Sequence, residues 1–164
     1  MNNLRFTQDN ASNANNANNI IEIRYDLLGN KTYMNDPDMG EWTYTYNSLK
    51  QLISQTDALN QTTTFTYDIL GRKISKVEER SSGAIYKIST WIYDTKLKGL
   101  LSSSNSSNYK KEYFYDSLSR VSKIEETIDG IIYPESYTYD TYSRIHTKVQ
   151  NNNFTLENVY NTQG

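Results

Sequence analysis

A lone histidine, two glutamate pairs, an Asp-Pro-Asp run and basic pairs beside tyrosines are the residues whose types and spacing could do chemistry. His146, in Ser143-Arg144-Ile145-His146, is a residue type used as a general base, but proton transfer also needs a positioned partner and the neighbouring sequence supplies none. It reads as a strand-surface residue. Glu78-Glu79 and Glu125-Glu126 suggest the two carboxylates of a glycosidase, which must flank one bond. Both pairs end a strand at matching positions, where consecutive side chains point to opposite faces, so they read as solvated, turn-proximal residues. Asp36 and Asp38 offer oxygens to calcium, which takes about 6 to 8 of them. An Asp-Pro opening of a type I turn accounts for the same residues. No metal or other cofactor is expected.

Lys110-Lys111 and Arg72-Lys73 stand near tyrosines, as charge and stacking groups do in nucleic-acid binders. Glu112, Asp116, Glu78 and Glu79 cancel that field, and a pI near 5.4 is unfavourable for phosphate contacts. No nucleic-acid partner is expected. Asn-x-Ser/Thr sequons occur at Asn10, Asn30, Asn60, Asn105 and Asn153, but about four would arise by chance from this Asn, Ser and Thr content, so they carry no information. The aromatic residues remain. Trp42, Tyr44, Phe65, Trp91, Tyr113 and Tyr137 either hold a sheet together or, if their rings face solvent, form a platform for sugar rings.

The chain that must position these groups has 164 residues, the size of one domain, and a net charge of −2. Fifteen tyrosines and seventeen threonines favour strand over helix. Without cysteine there is no disulfide, thiolate ligand or thiol nucleophile, and one histidine excludes a two-histidine metal site within one chain. No apolar run approaches the roughly 18 residues of a membrane span, and Met1-Asn2-Asn3-Leu4-Arg5-Phe6 lacks the apolar core of a signal peptide. Residues 1–19, with eight asparagines, read as a disordered polar leader, and residues 20–164 as the folded part.

From Ile20 onward the sequence repeats. A tyrosine followed by Asp or Asn recurs at Tyr25-Asp26, Tyr46-Asn47, Tyr67-Asp68, Tyr93-Asp94, Tyr115-Asp116, Tyr139-Asp140 and Tyr160-Asn161, at spacings of 21, 21, 26, 22, 24 and 21 residues. Ahead of the tyrosine the chain alternates, as in Trp42-Thr43-Tyr44-Thr45-Tyr46, which puts aromatics on one strand face and threonines on the other. After it comes a turn, clearest at Asp26 to Gly29 and Asp68 to Gly71, then a second strand and a second turn at Asp36-Pro37, Asp57 to Asn60 or Asp129-Gly130. Two strands and two turns fill each unit. Ser81-Ser82-Gly83 and Ser102 to Asn108 read as lengthened loops at hairpin ends.

These residues resemble the YD-repeat, or RHS-repeat, family, with Thr63-Thr64-Phe65-Thr66-Tyr67-Asp68-Ile69-Leu70-Gly71-Arg72-Lys73-Ile74 the nearest copy of its pattern. The resemblance places repeat anchors at the seven Tyr-Asp/Asn pairs together with Gly29, Gly71, Arg72, Arg120 and Arg144. It implies a β-sheet that spirals into a hollow shell around a C-terminal effector, as in bacterial polymorphic toxins and insecticidal toxin complexes, and a secreted or cell-surface location. Glycine at the fourth position after the tyrosine survives at Gly29, Gly71 and Gly164 but is Lys50, Leu97, Ser119 and Ser143 elsewhere, so those four turns are expected to be less regular or weaker. The family's closing segment around Asp-Pro-x-Gly-Leu is matched only by Asp36-Pro37-Asp38-Met39-Gly40, read as an inter-strand turn, and family shells are many times longer. The chain therefore reads as a fragment or truncated relative.

The expected fold is all-β: a curved antiparallel meander of about 12 to 14 strands, a partial β-solenoid shell with open sheet edges. The expected function is structural and non-catalytic, with the rest of a shell or an encapsulated effector polypeptide as partner. Carbohydrate or cell-surface glycan binding through the tyrosine faces is the alternative. Open edges imply self-association.

Overall fold

The computed structural model of this protein describes residues 3–8, 20–151 and 153–161, the first of these stretches as backbone alone. Every element among them is a strand, because the alternating, threonine- and tyrosine-rich segments suit a pleated surface and the Asp, Asn and Gly clusters between them turn the chain back. The chain divides into two compact units, Met1–Ile88 and Ser89–Gly164. The first holds β1 (Asn3–Gln8), β2 (Ile20–Tyr25), β3 (Lys31–Asp36), β4 (Gly40–Tyr46), β5 (Leu52–Thr56), β6 (Thr62–Tyr67) and β7 (Lys73–Glu79). Strand β8 (Ile85–Tyr93) straddles the division, and the second unit continues with β9 (Leu101–Ser106), β10 (Tyr109–Tyr115), β11 (Val121–Ile128), β12 (Ile131–Tyr139), β13 (Ile145–Gln150) and β14 (Phe154–Glu157). Within each unit the strands lie side by side in chain order and antiparallel. The all-β meander read from the repeats is the observed fold.

Only Phe65 and Ser102 are buried among the described residues, so neither unit has a packed apolar interior. Stability must then come from ladder hydrogen bonds and side-chain pairs across neighbouring strands. On β4 the pattern is as expected: Trp42, Tyr44 and Tyr46 are half-buried, while Glu41, Thr43 and Thr45 are exposed. Register carries the aromatic face across the first unit, since Trp42 stands opposite Met34, Tyr44 opposite Gln55 and Phe65 opposite Lys76.

The turns after the anchor tyrosines share one geometry. At Asp26, Asn47, Asp68, Asp116 and Asp140 the backbone N–H donates to the carbonyl four residues on, and the residue three further on donates back to the Asp or Asn carbonyl. Each such hairpin shifts register by one residue just before the tyrosine, between Arg24 and Tyr25, Thr45 and Tyr46, Thr66 and Tyr67, Phe114 and Tyr115, and Thr138 and Tyr139. This is a type I turn closed by a left-handed residue that forms a bulge. That residue is Gly29 (φ 83°) or Gly71 (φ 79°), but also Lys50 (φ 61°), Ser119 (φ 64°) and Ser143 (φ 64°).

The expected irregularity at the non-glycine turns is therefore corrected for three of the four. Lys50, Ser119 and Ser143 accept the left-handed conformation because the Asp or Asn side chain and two backbone bonds over-determine it. The fourth turn does differ. Asp94 itself has φ 67°, its N–H reaches the carbonyl of Leu100, and its Oδ1 accepts from Gly99 N at 2.6 Å. Buried Ser102 completes this longer turn, its Oγ accepting from the N–H groups of Thr95 and Lys96 at 3.0 and 3.1 Å.

Two further readings change. Ser102 to Ser106 belong to β9 and not to a loop, because β8 and β10 supply backbone partners on both sides and small serines fit between them, Ser89 and Ser106 meeting at 3.0 Å. Residues 3–8 of the segment read as a polar leader pair with β2 from Asn3 opposite Tyr25 to Gln8 opposite Ile20, in keeping with the alternation Leu4-Arg5-Phe6-Thr7. Residues 9–19 of that segment lie outside the described residues.

Backbone strain at these turns is measurable. Ser119→Gly should stabilise the chain by about 0.5–1 kcal/mol in urea unfolding, relief of the left-handed strain exceeding the added chain entropy. Gly71→Ala should destabilise by about 1–2 kcal/mol, since its φ is unfavourable for a Cβ and that Cβ would stand 3.0 Å from the Gln51 amide nitrogen.

Candidate functional site: the inter-repeat ladder

The side chain of the residue after each anchor tyrosine organises its turn. Asp68 Oδ1 accepts from the N–H groups of Leu70 and Arg72, both at 2.9 Å, and Oδ2 pairs with Arg72 Nε at 2.7 Å. The same three contacts recur at Asp116 with Leu118 and Arg120, and at Asp140 with Tyr142 and Arg144. At Asp26 the partner four residues on is Asn30, and at Asn47 it is Gln51, each joined by a side-chain amide hydrogen bond of 2.8 and 2.7 Å. Asn30 and Gln51 thus take the place of the arginine without its charge. Repetition of Arg72, Arg120 and Arg144 was legible in the sequence; the equivalence of Asn30 and Gln51 needed the geometry.

The anchor tyrosines tie one repeat to the one before it. Tyr67 Oη donates to the Leu52 carbonyl at 2.8 Å, Tyr115 to Leu101 at 2.7 Å, Tyr139 to Val121 at 2.7 Å and Tyr160 to Ile145 at 2.8 Å. Each acceptor is the first residue of the strand that follows the preceding anchor turn. The tyrosine hydroxyl is thereby satisfied by a backbone carbonyl beside the bulge. Adjacent turns also touch: Lys50 Nζ donates to the Leu28 carbonyl at 3.0 Å, Gln51 Nε2 to the Gly71 carbonyl at 3.1 Å, and Arg120 Nη1 to Ser143 Oγ at 3.0 Å. Tyr25, Tyr93, Asp94 and Asn161 occupy the corresponding places and also have partners.

The aromatics singled out as ligand-facing lie on strands in register with the anchors, and the chain's own cations cover several of them. Lys31 Nζ sits 4.3 Å from the centre of the Tyr44 ring, and Trp42 stacks beside Tyr44 at 6.4 Å. Lys73 Nζ lies 4.4 Å from the Phe65 ring, Lys111 5.8 Å from Tyr113 and Lys148 5.9 Å from Tyr137. Arg120 and Arg144 cover the anchor rings Tyr139 and Tyr160 at 4.3 and 3.9 Å. Trp91 stands opposite Ser104, with contacts of its own. Tyr44, Phe65, Tyr113 and Tyr137 thus each have an ammonium group by the ring, which would compete with a sugar for that face.

One carboxylate is held more firmly than the rest. Glu135 accepts from Tyr137 Oη at 2.6 Å and Gln150 Nε2 at 3.0 Å and pairs with Lys148. Partial burial acts to raise its pKa, but the hydrogen bonds from Lys148, Tyr137 and Gln150 outweigh that and bring it to about 2. Burial, and then the Glu135 carboxylate, push the Tyr137 hydroxyl well up. Asp116 is held low first by Arg120, and Asp26 first by Asn30. At Asp68 and Asp140 partial burial opposes the shift, and the backbone and arginine hydrogen bonds override it.

The residues with catalytic potential do not converge. Glu78 pairs with Lys76 at 2.9 Å, Glu125 with Lys123 at 2.8 Å and Glu126 with Lys111 at 2.7 Å, and register places Glu125 opposite Pro134 and Glu126 opposite Tyr133, on opposite faces of β11. His146 Nε2 lies 3.2 Å from Glu157 on an exposed strand surface. Asp36 Oδ1 accepts from the N–H groups of Asp38 and Met39, as a turn-opening Asp does. No cluster of three or more His, Cys, Asp or Glu able to hold a metal occurs among the described residues. A hollow of about 490 Å³ beside β11 and β12 is lined by the ion-paired Lys123 and Glu125 with Pro134 and Ser136, not by a nucleophile and base.

Residues 46–81, from one anchor through the next hairpin, match the family model described as RHS Repeat. No curated protein matches the chain. Among solved structures the fold is similar to a TcdB2-TccC3-TEV crystal structure (TM-score 0.71, 16% identity, 91% of this chain and 9% of that one). It is also similar to TcdB2-TccC3-Cdc42 (0.70, 15%, 80% and 8%) and to the Photorhabdus luminescens Tc holotoxin pore carrying a TccC3 mutation (0.61, 17%, 95% and 11%). The chain spans about a tenth of the length of those it matches.

Two outcomes follow from the ladder. Tyr139→Phe should lower unfolding free energy by about 1 kcal/mol, the usual net worth of one hydrogen bond, while Tyr142→Phe at the exposed turn tip leaves the urea midpoint unchanged. Because Glu135 and the turn aspartates titrate lower in the folded chain than in the unfolded one, the unfolded chain binds more protons in acid. Their stabilisation is complete above about pH 5 and is lost as pH falls towards about 2. Urea midpoints measured across that window should fall steadily, and less steeply in Glu135→Gln.

Proposed function

We propose that this chain is a stretch of non-catalytic wall in the shell of a toxin complex, and that the shell encloses an effector polypeptide outside the producing cell. The observation that carries this reading is the tyrosine ladder: the hydroxyls of Tyr67, Tyr115, Tyr139 and Tyr160 each close on the preceding repeat, so the sheet extends by adding hairpins with no packed interior to complete. A sheet grown in that way makes surface area economically, which suits a wall. The RHS match and the fold shared with Tc toxin structures support the same reading. Lysine and arginine over the ring faces favour a structural use of the aromatics over sugar stacking.

Limited proteolysis of the natural polypeptide that carries this sequence tests the proposal. A protected fragment from outside residues 1–164, cut only after urea unfolding, is the expected result. Cleavage of all such segments at the rate of an unfolded control would overturn it. A glycan array provides the second arm: tight sugar binding by the wild-type chain, lost in both Tyr44→Ala and Tyr137→Ala, would replace the wall with a recognition module.

A further inference from the structure

Both hairpin ends of the first unit carry exposed apolar side chains that no turn requires. At the anchor-turn end these are Leu28, Leu49 and Leu70, which are 61%, 72% and 70% exposed. All three hold the same turn position, where the turn uses only the backbone N–H, bound to the Asp or Asn oxygen. Successive anchor turns are two strands apart, so the leucines form a row with a step of about 9.6 Å. The opposite end has its own pair at the same two-strand step, Met39 and Leu59, 55% and 68% exposed.

The two ends differ in charge. Residues 25–31, 46–52 and 67–73 contain four basic and two acidic side chains; both acids are engaged inside their turns, Asp68 in part with Arg72, which leaves Lys31, Lys50 and Lys73 as the other cations of this end. Residues 35–41 and 56–62 contain Asp36, Asp38, Glu41 and Asp57 and no basic residue, and the third hairpin of that end, residues 79–85, adds Glu79 and Arg80, which leaves the end acidic. Each end is also rigid. Lys50 and Gln51 clamp the three anchor turns to one another, and at the acidic end Gly40 and Ala58 are so close that a Cβ on Gly40 would lie 2.6 Å from the Ala58 Cβ. Rigid rows with equal step, opposite charge and apolar tips are preorganised to meet.

We infer that the basic leucine rim of the first unit docks on the acidic Met39–Leu59 rim of a second copy of this chain, head to tail. The contact joins two different surfaces, so it propagates from copy to copy instead of closing on itself. It goes beyond the wall reading and does not depend on it, because an effector plays no part. It also differs from association through open strand edges, whose backbone bonds would be indifferent to rim charge.

Sedimentation velocity on the full chain tests this. Wild type should self-associate at 50 mM NaCl, with affinity falling about tenfold or more by 500 mM, as a charge-steered contact does. Leu49→Ser with Leu70→Ser should weaken association about tenfold with no change in circular dichroism. Lys50→Glu spoils only the basic rim and Asp38→Lys only the acidic rim, so each alone should be mainly monomeric. Mixed, they retain one intact basic rim and one intact acidic rim and should form capped dimers. A monomeric wild type, association that survives the rim variants, or a mixture that stays monomeric would each overturn the inference.

Discussion

A sheet without a second layer has to close each hairpin with local interactions, and here the side chain after the anchor tyrosine does that work. One oxygen of Asp68, Asp116 or Asp140 takes two backbone donors that would otherwise face the turn interior, and the other oxygen takes the arginine four residues on. Because that side-chain oxygen holds the backbone of the turn in place, the residue three further on takes a left-handed conformation without being glycine, at a cost in strain. Lys50, Ser119 and Ser143 then sit in the left-handed region with the same hydrogen bonds as Gly71.

The bulge that ends each turn has a consequence for cohesion. It displaces the tyrosine from simple register, and the next anchor hydroxyl donates to the carbonyl of the first residue in the strand that follows the bulge, at Leu52, Leu101, Val121 and Ile145. Tyrosine, not phenylalanine, is needed at the anchor for this reason. Arginines and lysines laid over the rings contribute about 0.5–1 kcal/mol each at such half-exposed sites. Together these links replace the hydrophobic interior that a sheet of this kind lacks, and they pair Asp68, Asp116, Asp140 and Glu135 with cations.

Much of the fold was legible because its signals are local. Period-two alternation marks the strands, and the Asp-to-Gly turns mark the hairpins; both depend only on backbone stereochemistry over a few residues. Sequence reasoning failed where a residue's state depends on its neighbours across the ladder. Ser102 to Ser106 have loop composition, yet β8 and β10 pair with them and make a strand. Asn30 and Gln51 do not look like Arg72, but each meets its Asp or Asn through the same geometry. Glu135 and Tyr137 share a segment, but the low pKa of Glu135 depends first on Lys148, and also on Gln150, across the ladder on the adjacent strand.

By itself the amino-acid order determined the class of the fold, the hairpin count per repeat and the recurrence of the Tyr-Asp anchor, since each follows from side-chain alternation and turn stereochemistry within one segment. Tertiary structure decided what those anchors bind, which carboxylates are neutralised, which ring faces are covered, and which leucines are left at the rims. Those outcomes turn on the register between strands some twenty residues apart, where a shift of one residue would turn every side chain to the other face of the sheet.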